Sequence, residues 1–155
     1  MKDQEHEKAI RAWTMYDWAN STFATTIMAA VLPVYYSSVA SAGLSPSTAT
    51  SNWAFTTSIA LILVGILGPI LGAMADFSGA KKRFMAVFVV IGVFGTALLF
   101  FVQSGDWLMA SFFYIIGSIG FAGANVFYDS LLPHVAREDE IDQVSSRGYA
   151  MGYIG

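Results

Sequence analysis

Apolar residues run along this chain in long blocks, separated by short polar breaks. The blocks are Trp13–Val39, Trp53–Ala75, Phe84–Val102 and Trp107 to about Leu132. A membrane-crossing helix needs about 20 residues, so each block predicts one span, with the fourth embedded over 107–130. Met1–Ala12 is a polar tail of mixed charge. Val39–Asn52 holds Gly43, Pro46 and several Ser and Thr, and reads as a loop. Asp76–Arg83 is a tight hairpin. Gln103–Asp106 is so short a turn that helices 3 and 4 become antiparallel neighbours. Pro133–Arg147 is an acidic loop with one helical turn around Glu138–Val144, and Gly148–Gly155 begins a fifth apolar helix. Pro33 falls near the far end of the first span and predicts a kink there. The expected fold is all-α and polytopic. The fifth helix is too short to span a bilayer, so the sequence reads as a fragment.

Composition supports the bilayer. Of 155 residues, 55% are hydrophobic and only 12% charged. Soluble domains carry about 25% charged residues. Mean hydropathy is +0.57. The net charge of −3 is less informative than where the charges sit. Lys2, Lys8 and Arg11 precede helix 1. Lys81, Lys82 and Arg83 follow helix 2, and Arg137 and Arg147 follow helix 4. The loops after helices 1 and 3 hold none of the 8 cations. The positive-inside rule then puts the N-terminus in the cytoplasm, in the inner or plasma membrane if the source is bacterial. Trp13, Trp18, Trp53 and Trp107 sit near span ends, where an aromatic belt places them. The first block is too long for the apolar core of a signal peptide, about 7–15 residues.

Other classes of function find little support. No basic stripe suggests nucleic acid. There is no Cys. His6 and His134 lie in polar segments without a second ligand at metal spacing, and both read as solvated. No nucleophile–base–acid set, phosphate-cradling loop or metal cluster appears. An enzyme, a cofactor and a metal are therefore not expected.

Two features carry candidate function. In the hairpin region, Gly65, Gly68, Gly72 and Asp76 recur at spacings of three and four and share a helix face. That face has almost no side chain, so another helix could approach closely. Lys81, Lys82 and Arg83 then anchor helix 3 at one membrane surface. Secondly, Tyr16-Asp17-Trp18-Ala19-Asn20 opens helix 1, and Asn125-Val126-Phe127-Tyr128-Asp129 closes helix 4. Asp17 with Asn20, and Asn125 with Asp129, each share a face. A carboxylate costs about 2.5–3.5 kcal/mol at a span centre, and less near its end. These four residues read as the lining of a substrate or proton path. The plainer alternative makes Asp17 a helix-start cap and Asp129 a solvated residue past a helix end. Arg147 is a candidate to cap the return loop or to pair with Asp129.

Gly72-x-x-x-Asp76-x-x-Gly79-x-Lys81-Lys82 resembles the loop between helices 2 and 3 of the major facilitator superfamily. Phe77 and Ala80 stand where that family usually has basic residues. Three further motifs narrow the resemblance: Tyr16-Asp17-Trp18-Ala19-Asn20-Ser21, Phe127-Tyr128-Asp129-x-x-Leu132-Pro133, and Ser145-Ser146-Arg147-Gly148-Tyr149-Ala150-x-Gly152-Tyr153. With Gly68-Pro69-x-x-Gly72, they are similar to the vacuole effluxer-like branch, which includes fungal autophagy-related amino-acid exporters. The resemblance implies a secondary transporter of about twelve helices in two halves, working by alternating access on a small solute. Amino acids are implied only by the fungal members. In this reading Gly72 permits close packing, Asp76 and Gly79 shape the gating hairpin, and Lys81 and Lys82 hold it at the inner surface. Asp76 would meet a helix of the absent C-terminal half. The expected partners are the lipid bilayer, the solute and that half. The competing expectation is a small multi-spanning scaffold or assembly protein without transport activity.

Overall fold

A computed structural model describes residues 2–77 and 79–154. Ser78 of the hairpin, Gly155 of the fifth helix and the side chain of Lys2 lie outside the described residues. Among the described residues every regular element is helical. Helix α1 (Lys2–Thr22) continues into π-helical turns (Phe23–Val31), a short α2 (Leu32–Tyr35) and further π-helical turns (Tyr36–Ala40). Then follow α3 (Pro46–Phe77), α4 (Lys81–Leu98) with a closing 3-10 turn (Leu99–Phe101), α5 (Trp107–Val135) and α6 (Ile141–Ile154). Four stretches are long and apolar enough to cross a membrane: Gln4–Ala40, Pro46–Phe77, Lys81–Phe101 and Trp107–Val135. The all-α polytopic fold expected from the apolar blocks is the fold observed.

The helices reach further into the polar breaks than their apolar blocks. Helix 1 begins at Lys2, inside the stretch read as a tail. Helix α3 begins at Pro46, seven residues before the apolar block starts at Trp53. Ser45 explains the early start: its Oγ accepts from the Thr48 N–H at 3.2 Å, and Pro46 supplies a pre-set first helical position. Helix α5 runs to Val135, with Pro133 in its last turn. The acidic loop shrinks accordingly. Arg137 N–H donates to Glu140 Oε1 at 2.9 Å, and α6 starts directly after, at Ile141. Near Pro33 the first span is bracketed by π-helical turns, where the kink was expected.

Helix α5 is the centre of the bundle. Of its most apolar 18-residue window, 44% is buried, against 11–17% in the other three spans. Its glycines bring α4 within backbone contact. A Cβ on Gly95 would lie 2.8 Å from Gly117 N, and one on Gly92 3.4 Å from the Gly120 carbonyl carbon. Phe127, fully buried, stacks with Phe84 and Phe88 at 5.4 and 5.9 Å, and packs with Leu71 and Ala75 of α3.

The buried face of helix α3 is Ala49, Thr56, Ala60, Leu71 and Ala75. A Cβ on Gly65, Gly68 or Gly72 would meet nothing within 4 Å. The glycine-lined face therefore has room for a close approach, and Gly68 borders a small cavity of about 20 Å3 against Gly123 of α5. The tryptophans differ from a simple belt. Trp13 is buried on Tyr128, and Trp53 packs between Tyr36 and Tyr114 at 4.9 Å from each.

The two ends of the bundle have opposite character. His6 of α1 pairs with Glu140, and Lys81 Nζ donates to the Ser130 carbonyl at 3.1 Å. These contacts gather the start of α1, the α3–α4 hairpin and the α5–α6 turn at one end, which carries the cations. At the other end Gly105 N–H donates to the Val39 carbonyl at 3.2 Å, joining two loops without Lys or Arg. Gly105 (φ +91°) supplies the left-handed residue that this turn needs.

Candidate solute path at the cation-bearing end

The first span and α5 carry the polar residues expected to line a path. Asn20 Nδ2 donates to Asn125 Oδ1 at 2.6 Å, so the two amides meet across the bundle. Neither is fully buried. Beside them a cavity of about 570 Å3 opens between the first span, α4 and α5. Tyr16, Asn20, Thr22 and Thr96 supply its polar wall; Phe23, Val93 and Phe121 are among its apolar lining. That volume is in the range of small-molecule sites.

Asp17 and Asp129 sit one turn nearer the polar end. They are close enough to interact electrostatically, and neither forms an ion pair among the described residues. Asp17 faces α6. A Cβ on Gly152 would lie 2.6 Å from Asp17 Oδ2 and 2.9 Å from Ser21 Oγ. Asp17 is well inside α1, which starts at Lys2, so it caps no helix start. Asp129 likewise lies within α5, six residues before its end at Val135. Neither carboxylate therefore sits at a helix boundary; Asp17 is half-buried, whereas Asp129 is exposed.

An aromatic cluster joins α1 to α5 beside these carboxylates. Trp13 stacks on Tyr128 with ring centroids 4.3 Å apart and planes at 11°, and its Nε1 donates to the Tyr128 carbonyl at 3.1 Å. Tyr16 packs on Tyr128 at 4.9 Å. The Tyr16 and Tyr128 hydroxyls are buried without a hydrogen-bond partner among the described residues. Gly148 lies directly under Trp13, with its Cβ position 3.1 Å from the Tyr128 hydroxyl. Trp13 and Asp17, four apart, thus fit onto Gly148 and Gly152, also four apart. The spacing of both pairs is visible in the sequence, but the pairing between them is not. Tyr16, Tyr128, Gly148 and Gly152 are the site residues that the sequence reading left without a role.

The remaining candidates are dispersed. Asp76 and Gly79 are exposed in the hairpin, and Lys82 is exposed at the start of α4. Lys81 alone reaches another element: besides Ser130 it meets His134 Nε2 at 3.1 Å. His134 and His6 were expected to be solvated. His134 is exposed, as expected, and Lys81 meets it there; His6 is half-buried and takes Glu140, because α1 extends far enough to bring it to that partner. Arg147 and Asp129 form no ion pair among the described residues. Arg147 borders a cavity with Glu7, Lys8 and Arg11 of α1, on a different side of α6 from Gly148 and Gly152. The return turn is capped by Glu140 rather than by Arg147. Glu140 is held below the usual carboxylate range, first by the Arg137 backbone N–H and then by His6.

Comparisons with known proteins agree with this architecture. The family model described as "Vacuole effluxer Atg22 like" matches residues 5–155. The chain is 44% identical over 149 residues to the "Uncharacterized MFS-type transporter YxiO" of Bacillus subtilis (strain 168), covering 96% of this chain and 35% of that protein. It is 29% identical over 85 residues to "Autophagy-related protein 22" of Coccidioides immitis (strain RS), covering 55% of this chain and 14% of that protein. The chain thus spans about a third or less of the curated relatives it matches. No solved structure matches it.

Proposed function

Because the chain belongs to the vacuole effluxer Atg22-like family, we propose that it forms the first part of a secondary transporter that moves a small solute across a membrane by alternating access. The observation that carries this reading is the Asn20–Asn125 amide pair between the first span and α5, beside the cavity of about 570 Å3. Within apolar helices an uncharged amide pair can exchange its mutual hydrogen bond for bonds to a polar solute. Asp17 and Asp129, one turn away, offer carboxylates to a proton, a cation or an amine. The Tyr16 and Tyr128 hydroxyls have spare hydrogen-bonding capacity in the same place. Transport needs no bond-making, so no enzymatic step enters.

The cation-bearing end lies in the cytoplasm in this reading, with the N-terminus there and, in a bacterium, the plasma membrane as its location. The Gly72–Asp76–Gly79 hairpin would gate that side. The open glycine face of α3 and Asp76 at its end would receive a helix of a second half. Amino acids are the first solutes to test, since the motif resemblance implies them through the fungal members of the branch.

The test is uptake into vesicles reconstituted with the full-length transporter that contains this chain and the proposed second half, across a panel of small solutes, for the wild type and Asn125→Ala. Solute-specific flux in the wild type, reduced at least tenfold (about 1.4 kcal/mol) in the variant, is the expected result. Flux equal to that of empty vesicles for every solute would instead favour a scaffold. The open glycine face of α3 is the observation that suits a scaffold equally well.

A further inference from the structure

The hairpin cations border a cavity that the solute path does not use. Lys81, Lys82, Arg83, Gly79, Leu131 and His134 line a volume of about 500 Å3 between the start of α4 and the end of α5. No acidic side chain lines it among the described residues. The three cations occupy the first turn of α4, which contains no acidic residue. A helix N-terminus already carries partial positive charge, so this placement opposes the helix dipole. Bound negative charge would reverse that penalty.

The donors are arranged to use it. Lys81 Nζ meets His134 Nε2 at 3.1 Å, which brings the ammonium and the imidazole together at the wall of the cavity. Lys82 and Arg83 are exposed and form no ion pair among the described residues. Asp76, the nearest acid along the hairpin, does not pair with them there either. The guanidinium of Arg83 can take two phosphate oxygens at once, and the lysines add point charges. Membrane context supplies the rest. Two apolar spans, Pro46–Phe77 and Lys81–Phe101, end at this hairpin. Phe77, two residues before Gly79, is 94% exposed and offers an apolar rim to acyl chains.

We propose that this cavity holds the phosphate-bearing headgroup of an anionic phospholipid, clamped between the start of α4 and the end of α5. Basic pockets between membrane helices commonly take such headgroups. The headgroup ties the hairpin to α5 through Lys81 and His134 as well as through the direct Lys81–Ser130 bond. The proposal does not depend on transport and is tested without it.

The experiment is a thermal-unfolding titration of the detergent-solubilised protein with phosphatidylglycerol, with phosphatidylcholine and with inorganic phosphate. Phosphatidylglycerol should raise the Tm of the wild type, and the other two should not. Arg83→Gln and Lys82→Gln should each weaken the apparent phosphatidylglycerol affinity several-fold. Lys8→Gln, whose cation lies on α1 away from this cavity, should leave it unchanged. Should Arg83→Gln not fold, Lys82→Gln carries the same test. An equal shift with phosphatidylcholine would overturn the proposal, as would an equal loss in Lys8→Gln, which marks diffuse surface charge. A response to inorganic phosphate matching that to phosphatidylglycerol would replace the lipid with a free anion and also overturn it.

Discussion

Glycine-to-alanine substitutions should have opposite effects on the two glycine-rich helices of this bundle. At Gly120 a methyl group would fall onto the backbone of Gly92 and within 2.8 Å of the Phe88 carbonyl oxygen. Neither obstacle is a rotatable side chain, so α4 and α5 must separate. Over-packing of a tight contact costs typically about 1–3 kcal/mol, and an immovable backbone puts this case near the upper value. Alanine recovers about 1 kcal/mol of helix propensity relative to glycine. Gly120→Ala should therefore lose about 2 kcal/mol. At Gly72 the added methyl meets nothing within 4 Å, so only the propensity gain of about 1 kcal/mol remains. The two variants should differ by about 3 kcal/mol, or roughly 6–12 °C in Tm for a chain of this size. Thermal unfolding of the detergent-solubilised chain, followed by helical circular dichroism, measures this directly. Equal stabilities for Gly120→Ala and Gly72→Ala would refute the α4–α5 backbone contact. In a longer form of the protein, a destabilising Gly72→Ala would show that another helix has come to cover α3.

Three other perturbations follow from named contacts. A double-mutant cycle on Asn20→Ala and Asn125→Ala, read by unfolding, should give a coupling of about 1 kcal/mol, since hydrogen bonds between membrane helices average about 0.6 and reach about 1.7; zero coupling would place the amides apart. Ser111→Ala removes a hydroxyl that meets Tyr36 OH at 2.9 Å and accepts from Thr56 at 2.7 Å. It leaves the Tyr36 hydroxyl buried and unpaired, so the loss should be about 1–2 kcal/mol, and adding Tyr36→Phe should restore part of it. Glu140, held below its ordinary carboxylate range when folded, contributes stability that is complete above its unfolded value and lost as pH falls through its folded value. The Tm of the wild type should accordingly fall on acidification below about 4.5, and that component should shrink in Glu140→Gln.

The number of spans was legible because each apolar block is about as long as a bilayer needs or longer, and no tertiary contact has to be known to count them. The helix ends were not, because capping rather than hydropathy sets them. Ser45 starts α3 inside a polar segment by accepting from the Thr48 N–H, and Glu140 closes the turn before α6 by accepting from the Arg137 N–H; neither bond carries an apolar signal. That misplacement propagated. Once α1 is seen to begin at Lys2 and α5 to end at Val135, Asp17 and Asp129 become interior residues, and His6 and His134 acquire partners. The polar faces of helices 1 and 4 were legible from spacing alone, and Asn20 and Asn125 do meet.

Glycine was the less reliable guide, for a physical reason. A stripe such as Gly65, Gly68 and Gly72 states only that a close approach is permitted, whereas Gly92 facing Gly120 is a close approach already made. Both stripes look alike in sequence, and only the neighbouring backbone separates them. The same logic applies to α6, whose Gly148 and Gly152 accept Trp13 and Asp17. Any side chain at Gly152 would displace the Asp17 carboxylate, so α6 sets where that charge points. Movement of α6 against α1 would therefore reposition the Asp17 charge relative to Asp129 without altering a residue of the first span. In a bundle where the Asn20–Asn125 pair lies one turn deeper, that is a direct mechanical route from helix packing to the polarity of the proposed path.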